Sequence, residues 1–115
     1  MFYNNFNFFK IYFTMYYSIQ YTEQYEKDYN KLSYDKKAYI KQRINRIISD
    51  GYFGDCKVID KNLYELRIFS CGGIRIYYTI KNNMVVLLLT IGGKESKEQQ
   101  QKDIKRAIKI LGELL

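Results

Sequence analysis

Histidine is absent from all 115 residues, and that absence removes a histidine general base, a Ser-His-Asp triad and histidine-ligated metal sites. Proline is absent too, whereas aromatic residues make up 17% of the chain and tyrosine alone occurs 13 times. Such a composition argues against disorder, which goes with few aromatics and low hydrophobicity. Only two cysteines occur, Cys56 and Cys71. They are too few for a disulfide framework and lack metal-ligand spacing, so they read as free thiols in a reducing cytosol, with one disulfide as the alternative. No stretch offers the roughly 20 apolar residues of a membrane-spanning helix. The densest candidate, residues 1–15, is broken by Asn4, Asn5, Asn7 and Lys10. It also shows no basic start, aliphatic run or small-residue cleavage site of the kind a signal peptide needs. Acidic residues are in short supply, 12 against 19 lysines and arginines, for a net charge of +7. That balance favours an anionic partner, or else reflects a solvated basic surface.

A chain of this length makes one domain with a real core. Residues 16–115 are expected to form it, and residues 1–15 to be an N-terminal extension or start-site artefact, since Met15 offers a second start. An extra edge strand is the alternative for that segment. The organising stretch is residues 63–94, which reads as three strands. In residues 63–69, Tyr64, Leu66 and Ile68 point to one face while Glu65 and Arg67 point to the other. Residues 74–81 repeat the pattern, with Ile74, Ile76, Tyr78 and Ile80 opposite Arg75, Tyr77, Thr79 and Lys81. Paired across Gly72 and Gly73, the two strands place Arg67 and Arg75 on one open surface. Asn82-Asn83 suits a two-residue type I′ turn. It leads into residues 84–91, apolar almost throughout and therefore central in the sheet, covered on both faces.

Around this stretch, residues 16–21 have the aromatic and β-branched character of a strand. Thr22 then caps a short helix with Tyr25, Tyr29 and Leu32 on one stripe, and Ser33 caps a second with Ile40, Ile44, Ile47 and Ile48, stopped by Gly51. Lys36, Arg43 and Arg46 flank that second stripe, with Lys41 on its other side, as a solvated face or an RNA contact. Residues 57–60 form a short strand. Ser96 to Gln99 matches a capping box and opens a last helix, with Ile104, Ala107, Ile108, Leu111 and Leu115 inward. Lys102, Lys105, Arg106 and Lys109 make a basic face opposite them. The order predicts an α+β fold, two N-terminal helices on a mostly antiparallel sheet of four to five strands and a C-terminal helix.

Arg67, Arg75 and Lys94, with Glu65 beside them, make a candidate phosphodiester site. Guanidinium groups bind phosphate through paired donors and stabilise the extra charge of a phosphorane. RNA carries its own nucleophile in the 2′-hydroxyl, so alignment and proton transfer suffice, and neither metal nor cofactor is required. A lysine crowded by arginines is a possible proton shuttle. Arginines paired across strands also serve as simple phosphate ligands or salt-bridge partners, and Glu65 can pair with Arg67.

Four blocks in order then resemble a known family: Tyr52-Phe53-Gly54-Asp55-Cys56-Lys57, Leu63-Tyr64-Glu65-Leu66-Arg67-Ile68, Gly73-Ile74-Arg75-Ile76-Tyr77-Tyr78, and Leu87-Leu88-Leu89-Thr90-Ile91-Gly92-Gly93-Lys94-Glu95-Ser96. With Gln101-Lys102-Asp103-Ile104-Lys105-Arg106-Ala107 near the end, residues 17–115 resemble the RelE/ParE superfamily of toxin–antitoxin toxins, in its HigB-like, phage-derived Gp49-like "addiction module killer protein" branch. The resemblance implies a small basic α+β fold and a cytoplasmic toxin that cleaves mRNA on the ribosome. It also implies a cognate antitoxin, here a HigA-like helix-turn-helix protein. Carried over by position, it assigns Arg67, Arg75 and Lys94 to catalysis. Glu65, Tyr77, Lys102, Lys105, Arg106 and Lys109 become candidates for contact with RNA or the ribosome. Glu65 stands where the best-studied RelE members have lysine, and a glutamate at that position is usual in the HigB-like branch. The tyrosine that some members carry after the lysine position has no counterpart in Glu95-Ser96-Lys97-Glu98. The same fold also implies an alternative, a ParE-like inhibitor that binds DNA gyrase, and a plain RNA-binding module is the blandest reading.

Overall fold

The structure is a computed structural model that describes residues 2–4, for their backbone, and 16–114. Its elements are β1 (Phe2–Asn4), β2 (Ser18–Thr22), α1 (Glu23–Asn30), α2 (Tyr34–Asp50), β3 (Cys56–Asp60), β4 (Leu63–Ile68), β5 (Ile74–Lys81), β6 (Val85–Gly93) and α3 (Lys97–Leu114). The strands form one sheet in the order β1-β2-β6-β5-β4-β3. Every neighbouring pair is antiparallel except β2 with β6. The α+β architecture expected from the sequence is thus present, with β1 as a further edge strand. Among residues 1–15 only this strand is described, and the rest of the proposed extension lies outside the described residues.

Local chemistry sets the boundaries. Thr22 ends β2 and caps α1, its hydroxyl accepting from the Tyr25 N–H at 3.1 Å and donating to the Leu89 carbonyl at 2.7 Å. Ser33 caps α2, and Gly51 closes it at φ 68°, the left-handed conformation that glycine adopts without steric cost. Asn82 and Asn83 both have positive φ, at 53° and 58°, and Met84 N–H closes on Lys81 O at 3.1 Å. This is the type I′ turn that the Asn-Asn pair suggested. Ser96 caps α3 by accepting from the Gln99 N–H at 3.1 Å.

The sheet buries both faces. Ile40, Ile44 and Ile47 of α2 and Tyr25 of α1 pack on Leu66, Ile68, Ile74, Ile76, Tyr78, Val86, Leu88 and Ile91. On the opposite face Ala107 and Leu111 of α3 pack on Leu63, Tyr77, Leu87 and Leu89. The continuous apolar run of β6 is explained by this double cover. A bulge makes the run workable: Tyr77 pairs with Thr90 and Tyr78 with Leu88, leaving Leu89 as the extra residue. Leu87 and Leu89 therefore reach the α3 core while Ile91 returns, opposite Ile76, to the other one.

Two expectations are corrected. The face carrying Arg67 and Arg75 is not open along its length, because α3 covers its inner part. The inward side of α3 is also rotated: Asp103, Ala107 and Leu111 are buried and Ile110 and Leu114 pack against the core, whereas Ile108 is exposed. The three-, four- and seven-residue spacings fit either arc of the helix, and packing against the sheet selects between them.

Candidate active site

The site grows from the register of β4 and β5, in which Arg67 lies directly opposite Arg75, and Glu65 opposite Tyr77. Each arginine is held by something different. The Arg67 guanidinium donates to Asp55 Oδ1 at 2.9 Å, and its backbone N–H donates to the Asp55 carbonyl at 2.9 Å. From α2, Arg43 Nη1 donates to the carbonyls of Arg67 and Phe53 at 3.1 and 3.2 Å, fixing the backbone behind it. Arg75 Nη1 donates to the Gly93 carbonyl at 3.0 Å, tying its head to the residue just before Lys94. Lys94 passes so close to Gly73 that a Cβ there would stand 2.5 Å from the lysine's own Cβ. Glycine at 73, also at φ 98°, is what lets the end of β6 and the β4–β5 connection meet.

Beneath these cations sits Glu65, fully buried. Its carboxylate lies 3.9 Å from Lys57 Nζ, 4.0 Å from Arg67 Nε and 3.7 Å from Arg75 Nε. Gln100 of α3 donates to it at 3.3 Å. A carboxylate removed from water needs such compensation, and three cations converging on one buried charge supply it. Asp55 is the second acid, so three cations, Lys57, Arg67 and Arg75, meet two carboxylates, and Lys94 stands beside them at the end of β6. Lys94 is exposed and, among the described residues, its side chain makes no hydrogen bond or ion pair. The hydrogen bond to Asp55 raises the Arg67 pKa above its already high ordinary value; partial desolvation opposes this, and the charges of Asp55 and Glu65 add to it. Burial, then the Glu65 charge, pushes the Tyr77 phenol above its ordinary value.

The structure thus gathers Arg67, Arg75, Lys94 and Glu65 at one end of the sheet. It separates the others. Glu65 has no exposed surface and braces the arginines, which corrects its expected contact with RNA. Tyr77 is likewise buried under α3, so its expected contact with RNA is corrected too, and Tyr78 lies in the core on the opposite face. Lys102, Lys105 and Lys109 are exposed on the outer side of α3. Arg106 is not part of that face: it turns to α1, 3.1 Å from Asp28, and donates to the Ile91 carbonyl at 3.2 Å. Sequence reasoning missed Asp55, Lys57 and Gln100, and it put Arg43 on a solvated or RNA-contacting helix face, whereas its guanidinium is turned to the backbone of Phe53 and Arg67. Asp55 and Lys57 lay in a quoted block without a role, and Gln100 and Arg43 meet the site only through tertiary packing. No cluster of three or more potential metal-ligating side chains occurs among the described residues. Both cysteines are free and exposed.

Comparison with known proteins bears on the family and the fold. The family of phage-derived Gp49-like proteins matches residues 27–111. An uncharacterised protein of Haemophilus influenzae is 41% identical over 78 residues, covering 68% of this chain and 75% of its own. The isolated E. coli RelE toxin superposes with a TM-score of 0.58 at 20% identity, covering 79% of this chain and 97% of that one. RelE in the intact E. coli RelBE toxin–antitoxin complex gives 0.58 at 19% identity, over 70% and 99% of the two chains. A RelE mutant bound to a RelB peptide gives 0.60 at 21%, over 77% and 95%. With its α+β sheet in the RelE arrangement, the chain belongs to the phage-derived Gp49-like family.

Proposed function

We propose that this protein is the toxin of a type II toxin–antitoxin module and acts as a ribosome-dependent mRNA endoribonuclease that blocks translation. The observation that carries this reading is the cross-strand pair Arg67–Arg75, braced by buried Glu65 and Asp55, with unpaired Lys94 beside it. In the proposed reaction the substrate's 2′-oxygen attacks phosphorus, the bond to the 5′-oxygen breaks, and a 2′,3′-cyclic phosphate and a 5′-hydroxyl result. Arg75 and Arg67 stabilise the charge of the phosphorane. Lys94, exposed and free of an internal partner, exchanges the proton lost by the 2′-hydroxyl and gained by the leaving oxygen. The pre-set arginines need little reorganisation as charge develops, which is where catalytic advantage arises.

Lys102, Lys105 and Lys109 would add sequence-independent attraction to ribosomal RNA. The fold it shares with a toxin solved bound to its antitoxin supports a cognate antitoxin, for which a HigA-like helix-turn-helix protein is the proposed identity. Induced expression with primer extension on cellular mRNA, together with purified ribosomes carrying an A-site message, tests the reading. Wild type should cleave, and Arg67→Ala, Arg75→Lys and Lys94→Ala should each lose roughly 100- to 1,000-fold in rate. Arg75→Lys keeps the charge and loses the paired-donor geometry. Absence of cleavage, with DNA breaks accumulating through gyrase, would replace this reading by the ParE-like one.

A further inference from the structure

With Tyr77 and Tyr78 both buried, no tyrosine of β5 is available to hold a base beside the proposed scissile phosphate. One exposed ring does stand at the arginines. Phe69 follows β4 directly, is 65% exposed, and lies 5.8 Å from the Arg67 guanidinium carbon, measured to the ring centre. It stands just past the end of β4, where the chain leaves the strand for the Ser70–Gly72 turn, while Ile68 before it enters the α1–α2 core. An apolar ring left in water gains nothing for the fold. The backbone on either side of it is tied down: Arg67 is anchored by Asp55 and by Arg43, and the Gly73 N–H donates to the Ser70 carbonyl just beyond.

We infer that Phe69 is the base-stacking residue of the site, a positioning residue that receives an unstacked base of single-stranded RNA next to the phosphate held by Arg67 and Arg75. The inference rests on the ribonuclease reading and adds to it the means by which the strand is aligned. Aromatic faces stack any base, and a cation against the ring's other approach strengthens the platform. Alignment of the 2′-oxygen with the leaving oxygen requires the nucleoside to be held as well as the phosphate. A splayed base on Phe69 supplies that second point of attachment without reading sequence.

The test uses purified full-length protein and ribosomes programmed with a message bearing 2-aminopurine in the A-site codon, 2′-O-methylated at the scissile step to stop cleavage. Wild type should quench the 2-aminopurine fluorescence on binding. Phe69→Leu should lose the quenching and weaken binding roughly 10- to 100-fold, while Phe69→Trp restores both. On unmethylated message Phe69→Leu should be slowed and Phe69→Trp should not. If wild type binds and cleaves while Phe69→Leu quenches, binds and cleaves equally well, the inference falls and the ribonuclease reading stands. If wild type neither binds nor cleaves, both fall. Equal circular dichroism of the exposed-site variants and wild type excludes a folding cause.

Discussion

At the scale of single residues, the contrast between Glu65 and Tyr77 is the most instructive, because they are cross-strand neighbours, both fully buried, with opposite demands. Glu65 balances three cations. Glu65→Gln keeps its shape and removes the balancing charge, so we expect a loss of about 1–3 kcal/mol in urea melts. That figure is below a fully buried pair's because the side chains of Arg75, Arg67 and Lys57 are 18%, 32% and 46% exposed and solvent screens them. The Tyr77 hydroxyl, by contrast, makes no hydrogen bond of ordinary geometry, although the Glu65 carboxylate lies close enough to raise its pKa by charge and by hydrogen bonding. Relief of the hydroxyl's desolvation is offset by what it gives the buried Glu65 carboxylate, so Tyr77→Phe should change stability by no more than about 1 kcal/mol in either direction. Cleavage by Tyr77→Phe should match wild type; a fall of tenfold or more would show that the phenol takes part in the chemistry.

At the scale of elements, the second half of β6 presents an interesting solution to an exposed strand edge. β2 stops pairing at Leu88, yet the next backbone groups are not left open. Thr22 donates to Leu89 O, Asp28 accepts from Ile91 N–H at 3.0 Å, and Arg106 donates to Ile91 O. Side chains of Thr22, α1 and α3 thus stand in for a missing strand, and the Asp28–Arg106 pair clasps the two helices together. Asp28→Ala should cost about 2–4 kcal/mol, since it strands a backbone donor and an arginine together. A double-mutant cycle with Arg106→Ala should show coupling of at least about 0.5 kcal/mol, and additive losses would count against the clasp. Neutralising Lys105 and Lys109, which face outward from the same helix, should change stability by less than about 0.5 kcal/mol and weaken ribosome binding in a salt-dependent way.

Across the whole molecule, three buried tyrosines tie stability to pH in the alkaline range. Burial raises the phenol pKa of Tyr25, Tyr77 and Tyr78 in the folded state. The folded chain therefore keeps these protons where the unfolded chain releases them. Stability from this source is complete below pH 10 and declines above it. Each phenol contributes a slope of about 1.4 kcal/mol per pH unit, or about 4 for the three. Denaturant melts between pH 8 and 11 should show the decline, and Tyr77→Phe should reduce its slope by about one third; a flat profile would contradict the assignment. A chain beginning at Met15 is expected to fold, losing no more than about 2 kcal/mol with the three β1 pairs. Failure of that chain to fold would make the segment integral to the domain.

What the sequence determined alone was everything governed by local periodicity and short-range hydrogen bonding. Thr22, Ser33 and Ser96 cap helices, Asn82-Asn83 turns, and the alternation through residues 63–68 and 74–81 places Arg67 and Arg75 on one face. These features depend on neighbours a few residues away, and such patterns are written in the chain itself. The tertiary structure decided which surfaces remain free. Glu65 and Arg67 share a face by alternation, yet one is buried and the other half-buried, because α3, more than 30 positions later in the chain, crosses only one end of that face. Arg106 looks like its basic neighbours at helical spacing and differs because Asp28 is within reach. Phe69 is one more aromatic in an aromatic-rich chain until the packing of every other ring near the arginines leaves it exposed. Burial is a property of contacts distant in sequence, and no local pattern contains it.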